Sequence, residues 1–298
     1  MQPARYDLVV LDLDGTILEK DFPGGYTQRV RQTIAAVQAM GVPVTIATGR
    51  TLDYVRTQTP LLGITTPVVT TQGAVVGDPV SGEIFFEADM PLDVARAVAA
   101  WADATGRVTI FYFSNRDGTT TLYQNREVWA PEVYDHWFGT PRRIQPNLSA
   151  LLAASDHPPL KFISVNDASA EPDLTPILQE QFGPTMHMAR THALLIEGTA
   201  AGVDKGSGLL HLLEKLNIPP HRVLAVGDNE NDIPMLKIAG MGVAMGQATD
   251  KVKAAAQWIA PSIIQDGAAV AMEKYVIGDW GLGTGGWESD PRSPVPNP

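Results

Sequence analysis

A short apolar strand that ends in two carboxylates is the feature that most constrains this chain. Leu8–Leu11 is apolar at every position, which is typical of a strand buried on both faces of a parallel sheet. Helix-like and strand-like segments alternate after it and again late in the chain, which predicts a parallel sheet covered by helices. The predicted elements are helix Thr27–Met40, strand Val42–Ala47, helix Asp53–Thr59, strand Val68–Thr71, helix Gly206–Leu216, strand Val223–Val226, helix Asp232–Ala239, strand Val243–Met245, helix Asp250–Gln257 and strand Trp258–Ala260.

The middle of the chain breaks this alternation. Residues 74–87 carry Gly and Pro turn signals that predict a hairpin, and aromatic and β-branched strands follow them. We therefore predict an α/β fold, in which a Rossmann-like doubly wound parallel sheet (residues 1–87 and 199–277) carries an inserted α+β domain (residues 88–198). The alternative is one continuous sheet with long insertions. The Gly-, Pro- and Ser-rich residues 278–298 are predicted to be a disordered tail.

Asp12 and Asp14 lie just beyond the carboxyl end of the first strand, where α/β sheets bind their ligands. Gly15 follows and allows a sharp turn. Two carboxylates so close together repel each other unless they share a cation or a proton. They therefore indicate a hard cation such as Mg²⁺, acid/base chemistry, or both. The alternative is an ordinary capped loop with an Asp-Gly turn.

Two later clusters suit an anion such as phosphate. Thr48-Gly49-Arg50 follows the second predicted strand and offers a hydroxyl, a glycine and a guanidinium. Lys205 lies at the start of a predicted helix, where the helix dipole disfavours a cation, so an anionic partner is expected. Taken singly, each cluster is also compatible with a capping threonine or a solvated basic side chain.

A dense acidic loop, Gly227–Asp232, joins a late strand to the next helix. It does not match a calcium-binding EF-hand loop, because Ile233 occupies the position that requires glycine. Asp228 is the candidate third carboxylate of a metal site. Asp232 is expected to lie next to the metal ligands and to stabilise their arrangement.

Charge and composition exclude several classes of function. The formal net charge is −11 and no long basic run is present, which disfavours nucleic acids and anionic membranes as partners. The chain has no cysteine, so thiolate metal sites are excluded. The first residues lack the pattern of a signal peptide and no apolar run spans a bilayer, so a cytoplasmic location is expected. The sequence carries no signal for a particular oligomeric state.

Taken together, these motifs resemble the haloacid dehalogenase-like (HAD) phosphohydrolases, in particular their Cof-type (IIB) branch with a large C2-type cap. The matching segments are Asp12-Leu13-Asp14-Gly15-Thr16, Thr48-Gly49-Arg50, Lys205, Gly227-Asp228-Asn229-Glu230-Asn231-Asp232 and Asp266-Gly267-Ala268-Ala269-Val270. One departure is Gln72-Gly73-Ala74, where the branch usually has Asn-Gly-Ala. The resemblance covers about Tyr6 to Ile277.

The resemblance implies a role for each of these residues. Asp12 would be the nucleophile that forms an aspartyl-phosphate, and Asp14 the general acid and base. Thr48 and Lys205 would hold phosphoryl oxygens, and Gly49, Arg50, Gln72 and Asn231 would help to bind the substrate. Mg²⁺ would be bound by Asp12, Asp228 and the backbone carbonyl of Asp14, with Asp232 in support.

The expected function is therefore a Mg²⁺-dependent phosphatase acting on a small phosphorylated metabolite, by resemblance a sugar phosphate. A phosphomutase on the same core and a non-catalytic phospho-acceptor protein are the alternatives. Serine and zinc hydrolases are disfavoured, because GxSxG and HExxH are absent. Candidate substrate contacts in the inserted domain are Lys161, Arg190, Arg116, Tyr112 and Phe113, although ordinary strand or surface roles are the more common outcome for such residues.

Overall fold

The computed structural model describes residues 6–19, 25–127, 142–165, 174–192 and 194–278. The tail predicted for 278–298 lies outside the described residues, except for Gly278. The strands are β1 (Leu8–Leu11), β2 (Val44–Ile46), β3 (Val68–Thr70), β4 (Val75–Gly77), β5 (Ile84–Glu87), β6 (Thr109–Ser114), β7 (Thr120–Gln124), β8 (Arg142–Ile144), β9 (Lys161–Val165), β10 (Met186–His192), β11 (Leu195–Ala200), β12 (Val223–Gly227), β13 (Met241–Ala244) and β14 (Trp258–Ile259).

The α-helices of the described residues connect some of these strands, and the last helix follows β14. They are α1 (Gln28–Ala39), α2 (Leu52–Leu62), α3 (Leu92–Thr105), α4 (Leu148–Ala154), α5 (Thr175–Phe182), α6 (Lys205–Leu216), α7 (Ile233–Ile238), α8 (Asp250–Ala255) and α9 (Gly267–Met272). Short 3₁₀ turns occupy Thr71–Gly73, Pro220–Arg222, Glu230–Asp232 and Ile263–Gln265, and a π-helical turn occupies Glu273–Ile277.

The core sheet has the strand order β14-β13-β12-β1-β2, and every neighbouring pair is parallel. Strand β1 lies inside it, and alternate residues of β1 face opposite sides. Val9 and Leu11 pack into the cluster formed with α1, α2 and α9, whereas Leu8 and Val10 pack into the cluster formed with α6, α7 and α8. The predicted doubly wound α/β core is confirmed.

The predicted hairpin within 74–87 is also present. Strands β4 and β5 pair antiparallel, and β3 pairs with β4 to complete a three-stranded sheet. A single parallel bridge between Ala47 and Val69 connects this sheet to the end of β2. As a result, the turn after β3 lies beside the loop after β2.

A second sheet, the cap sheet, is built from β6–β11 in the order β10-β11-β9-β6-β7-β8. Its pairs are antiparallel except for β7 with β8. Helices α3, α4 and α5 cover one face through Phe111, Phe162 and their apolar neighbours. This architecture agrees with an inserted α+β domain, although the boundaries at 87/88 and 198/199 stay a prediction.

Most segment boundaries shift by only one to three residues from the sequence-based expectation. The main difference is at Asp232, predicted to begin a helix, because a 3₁₀ turn over Glu230–Asp232 precedes α7. That turn allows Asp232 to point back into the loop. Among the described residues, no helix combines the length and the apolar character needed to cross a bilayer.

Candidate active site

The candidate site lies at the carboxyl edge of the core sheet, where three neighbouring strands end together. Asp12 follows β1, Asp228 follows β12, and the loop that contains Thr48 follows β2. Helix α6 brings Lys205 to the same edge from its first turn. The fold therefore brings these motifs together as expected, because the carboxyl ends of parallel strands lie at the same edge of a sheet.

Asp12 is buried at the centre of this group, with 4% of its surface exposed. Its Oδ1 accepts a hydrogen bond from Lys205 Nζ at 2.6 Å, and its Oδ2 accepts one from Thr16 Oγ1 at 3.1 Å. Burial, together with the nearby carboxylates of Asp232 and Asp228, raises the pKa of Asp12 well above its ordinary value. Thr16 received no separate role from the sequence, although it belongs to the first motif.

Lys205 has the anionic partners that its position predicted, and they are carboxylates of the protein. Its Nζ lies 2.6 Å from Asp12 Oδ1 and 2.6 Å from Asp232 Oδ1. Burial opposes the charged form, but the two carboxylates outweigh it, so the pKa of Lys205 lies above its ordinary value. The Asp204 side chain caps α6 by accepting from Ser207 N, which fixes the first turn and Lys205 with it.

Three carboxylates surround a small space here. Oxygen atoms of Asp12, Asp228 and Asp232 all lie within 4.8 Å of one another. With all three carboxylates ionised, the single positive charge of Lys205 would leave two negative charges in excess in a mostly buried place. Carboxylate oxygens are the ligands that Mg²⁺ prefers, and a divalent cation balances the excess, so the donor set fits such an ion.

The Asp228 carboxylate lies so close to the backbone of Gly15 that only a glycine fits at this position of the first motif. A Cβ at Gly15 would lie only 2.3 Å from Asp228 Oδ2, and Gly15 has a φ of +92°. Asp232 is arranged differently, because its Oδ2 accepts from the backbone N–H groups of Asp228 and Asn229, both at 2.9 Å. Asp232 therefore holds the loop and Lys205 in place, whereas its predicted support of a metal ion stays a prediction.

Arg50 binds Asp14 through two hydrogen bonds. Nε lies 2.8 Å from Asp14 Oδ2, and Nη2 lies 2.6 Å from Asp14 Oδ1. Burial opposes the charge on the guanidinium, but Asp14 outweighs that effect and raises the pKa of Arg50. Arg50 thus fixes the direction of the Asp14 carboxylate, whereas its predicted contact with substrate, and the metal contact of the Asp14 carbonyl, stay predictions.

The turn after β3 completes the polar wall of the site. Thr71 and Gln72 have φ values of +53° and +59°, a left-handed conformation that is unfavourable for a threonine. Their backbone N–H groups donate to the carbonyls of Arg50 and Thr48, at 2.7 and 3.1 Å. Gln72 Oε1 also accepts from Asn231 Nδ2 at 3.0 Å, so these two candidate substrate-binding residues lie together.

The cap sheet closes this edge from above and leaves a cavity of about 150 Å³. Lys161 and Tyr112, two of the predicted substrate contacts, line the cavity. Phe113 faces the opposite side of its strand, in the apolar cluster beneath the cap helices, and Arg116 lies against Glu87 and Asp89. Arg190 is not among the described residues that line the cavity.

Several lining residues on the cap side were missed in the sequence, and Glu197 and Thr191 are the ones that interact with each other. Glu197 and Thr191 both line the cavity, and Thr191 Oγ1 donates to Glu197 Oε1 at 2.6 Å. Strand alternation was the available signal, because Glu197 shares a face of β11 with Leu195, which also lines the cavity. The same alternation would have separated Tyr112 from Phe113.

Comparison with known proteins identifies the family. The family model described as haloacid dehalogenase-like hydrolase matches residues 9–272. A curated relative, the 5-amino-6-(5-phospho-D-ribitylamino)uracil phosphatase of Bacillus subtilis, is 29% identical over 272 residues, covering 91% of this chain and 96% of its own length.

Solved structures agree with that match. A haloacid dehalogenase-like hydrolase from Bacteroides thetaiotaomicron has a TM-score of 0.75 at 26% identity, covering 90% of this chain and 99% of its own. A HAD subclass IIB sugar phosphatase shares the fold, with a TM-score of 0.73 at 24% identity, covering 90% of this chain and 98% of its own. This chain therefore belongs to the haloacid dehalogenase-like hydrolases.

Proposed function

We propose that this protein is a Mg²⁺-dependent phosphatase that releases phosphate from a sugar phosphate through an aspartyl-phosphate on Asp12. Membership of a family of phosphoric monoester hydrolases supports phosphatase action on a small phosphorylated substrate. The observation that carries the finer proposal is the position of Asp12. Its buried carboxylate lies beside Lys205 and within 4.8 Å of Asp228 and Asp232, on the floor of the cavity.

In the first step, an Asp12 carboxylate oxygen attacks phosphorus. A bond from Asp12 to phosphorus forms as the bond to the leaving oxygen breaks, and Asp14 gives that oxygen a proton. Lys205 and the Thr48 hydroxyl hold the phosphoryl oxygens, so that one anion can approach another. Asp12 and Asp228 would hold Mg²⁺, which would supply further positive charge for the negative charge that develops on the phosphoryl group.

In the second step, water replaces Asp12 on phosphorus. Asp14, now ionised, takes the proton of the attacking water, the bond from Asp12 to phosphorus breaks, and inorganic phosphate leaves. Arg50 supports this second step, because its two hydrogen bonds favour the ionised form of Asp14 and hold its carboxylate in one direction. Splitting one difficult displacement into two easier ones is the general advantage of a covalent intermediate.

The residues that line the cavity favour a leaving group with several hydroxyls. Glu197 and Thr191 of the cap line the cavity and offer hydrogen-bonding groups, as does Asn229 of the core loop after β12, and Ile163 and Leu195 of the cap add apolar surface. Sugar hydroxyls match such a wall, because polar groups fix their orientation while apolar side chains cover the carbon skeleton. The cytoplasmic location expected from the sequence stays a prediction.

Removing the metal is expected to abolish turnover of a hexose phosphate. We expect activity to fall by at least about 100-fold after treatment with a chelator and dialysis, because Asp12 and Asp228 would then repel the phosphoryl group. Added Mg²⁺ should restore it. The assay measures inorganic phosphate and the isomeric hexose phosphate together, and unchanged activity after chelation would contradict the metal dependence.

The same assay separates the alternatives. Accumulation of an isomeric hexose phosphate without phosphate release would identify a phosphomutase. No product from any member of a broad panel of phosphorylated metabolites, with Mg²⁺ present, would favour a non-catalytic phospho-acceptor protein.

A further inference from the structure

A buried ion pair on the cap sheet contacts the phosphate-binding loop. Lys161 and Glu197 lie on neighbouring strands β9 and β11, with 1% and 6% of their surfaces exposed. Lys161 Nζ lies 2.5 Å from Glu197 Oε2 and 4.5 Å from the centre of the Tyr112 ring. Burial of such a pair is costly, and apolar residues of similar volume often serve packing equally well, so the pair needs an explanation beyond packing.

The third contact of Lys161 is with the core. Its Nζ donates to the backbone carbonyl of Gly49 at 2.9 Å. A Cβ at position 49 would lie 2.5 Å from Gln72 Nε2, so the glycine lets this loop pack closely against the turn after β3. The contact joins the cap sheet to the loop of Thr48, Gly49 and Arg50.

Each of the three consecutive backbone carbonyls of that loop accepts a hydrogen bond. The Thr48 carbonyl accepts from Gln72 N and the Arg50 carbonyl accepts from Thr71 N, so both are held by the core backbone. The Gly49 carbonyl between them accepts from the cap lysine. Two of the three hydrogen bonds that hold this loop therefore come from the core. The third comes from the cap and requires the cap sheet to cover the site.

The peptide that Lys161 contacts also orients the Thr48 hydroxyl. The Gly49 carbonyl belongs to the same planar peptide unit as the Arg50 N–H, and this N–H donates to Thr48 Oγ1 at 3.2 Å. With a lone pair of Oγ1 occupied in this way, the hydroxyl proton of Thr48 is directed elsewhere and can be donated to a phosphoryl oxygen.

We propose that Lys161 is a positioning residue that makes the phosphate-binding geometry of Thr48 depend on cap closure, with Glu197 as its counter-ion. Lys161 acts through the Gly49–Arg50 peptide and does not contact the substrate. This inference rests on the proposed function in one respect, namely that Thr48 holds a phosphoryl group. The contact itself is independent of that function.

The test uses amide hydrogen exchange at Arg50, followed by NMR in the full chain. Lys161→Met removes the donor at nearly constant volume, and Lys161→Met/Glu197→Gln also removes the uncompensated buried carboxylate, so that the second variant stays informative if the first does not fold. In both we expect Arg50 N–H to exchange about tenfold faster than in the wild type. Thr191→Val is the matched control, because it removes a hydrogen bond to Glu197 and leaves the contact with Gly49 intact. Unchanged exchange in the folded double variant would overturn the proposal.

Kinetics distinguish positioning from substrate contact. We expect the double variant to lose kcat by about 10- to 100-fold relative to Glu197→Gln alone, with little change in KM, so that the comparison isolates Lys161. The loss should be equal for p-nitrophenyl phosphate and a hexose phosphate, because Thr48 holds the group common to both. Losses that depend on the leaving group would mean that Lys161 binds substrate and would overturn the proposal. If the wild type hydrolyses neither compound, the proposed function fails, whereas the exchange measurement still decides the role of Lys161.

Discussion

Asp12→Asn is expected to lower the turnover of a phosphomonoester by at least about 1,000-fold. The amide has nearly the same shape as the carboxylate, so its oxygen can still accept from Lys205, while its NH2 group would donate to the Thr16 hydroxyl oxygen. It is, however, a poor nucleophile toward phosphorus. The measurement is kcat for phosphate release at saturating substrate with Mg²⁺, with circular dichroism to show that the variant is folded.

Asp7→Asn is the matched control for this change. Asp7 lies just before β1 on the same segment, and it pairs with Arg222 at 2.5 Å, away from the cavity. We expect wild-type kcat from this variant. Turnover retained by Asp12→Asn at more than a tenth of the wild-type rate would exclude Asp12 as the nucleophile.

Lys205→Met is expected to have the second largest effect, on both stability and activity. It leaves Asp12 and Asp232 buried without the cation that lies 2.6 Å from each of them. Breaking a buried ion pair from one side typically costs about 3–5 kcal/mol of unfolding free energy. We expect a loss of this size in urea denaturation with a chelator present, and a smaller loss with Mg²⁺, because a divalent ion would relieve part of the repulsion.

Lys237→Met is the control for the second prediction, because Lys237 is exposed on α7. We expect its unfolding free energy to stay within about 0.5 kcal/mol of the wild type, as is usual for surface substitutions. Equal losses for Lys205→Met with and without Mg²⁺ would argue that no divalent ion binds beside Asp12.

The core and its site were accessible from the sequence for a physical reason. In a parallel sheet all strands run in the same direction, so their carboxyl ends lie at one edge. Local motifs that follow strands, such as Asp12, Thr48 and Asp228, therefore converge without knowledge of long-range contacts. The unfavourable location of Lys205 at a helix start was likewise visible in the sequence, since its partners had to be anionic.

The partners of Arg50 and the cap side of the cavity were not accessible in the same way. Arg50 suited a phosphate, but its geometry with Asp14 depends on two loops that are far apart in the chain. Lys161 and Glu197 pair across strands of an insertion whose register no local pattern fixes, and Gly49 joins them only through packing of two sheets. Such contacts follow from tertiary structure, which single motifs do not encode.

The most direct test of the central claim is chemical capture of the phosphorylated enzyme. Wild type and Asp14→Asn, each with Mg²⁺, are mixed with ³²P-labelled p-nitrophenyl phosphate, whose leaving group does not need a proton from Asp14. The mixtures are quenched with acid during the first turnover and digested for peptide mapping. The account predicts label that hydroxylamine removes, as expected of an acyl phosphate, on the peptide that contains Asp12, with more label in Asp14→Asn because its second step is slower. Phosphate release by the wild type without labelled protein, or label on another residue, would contradict the account.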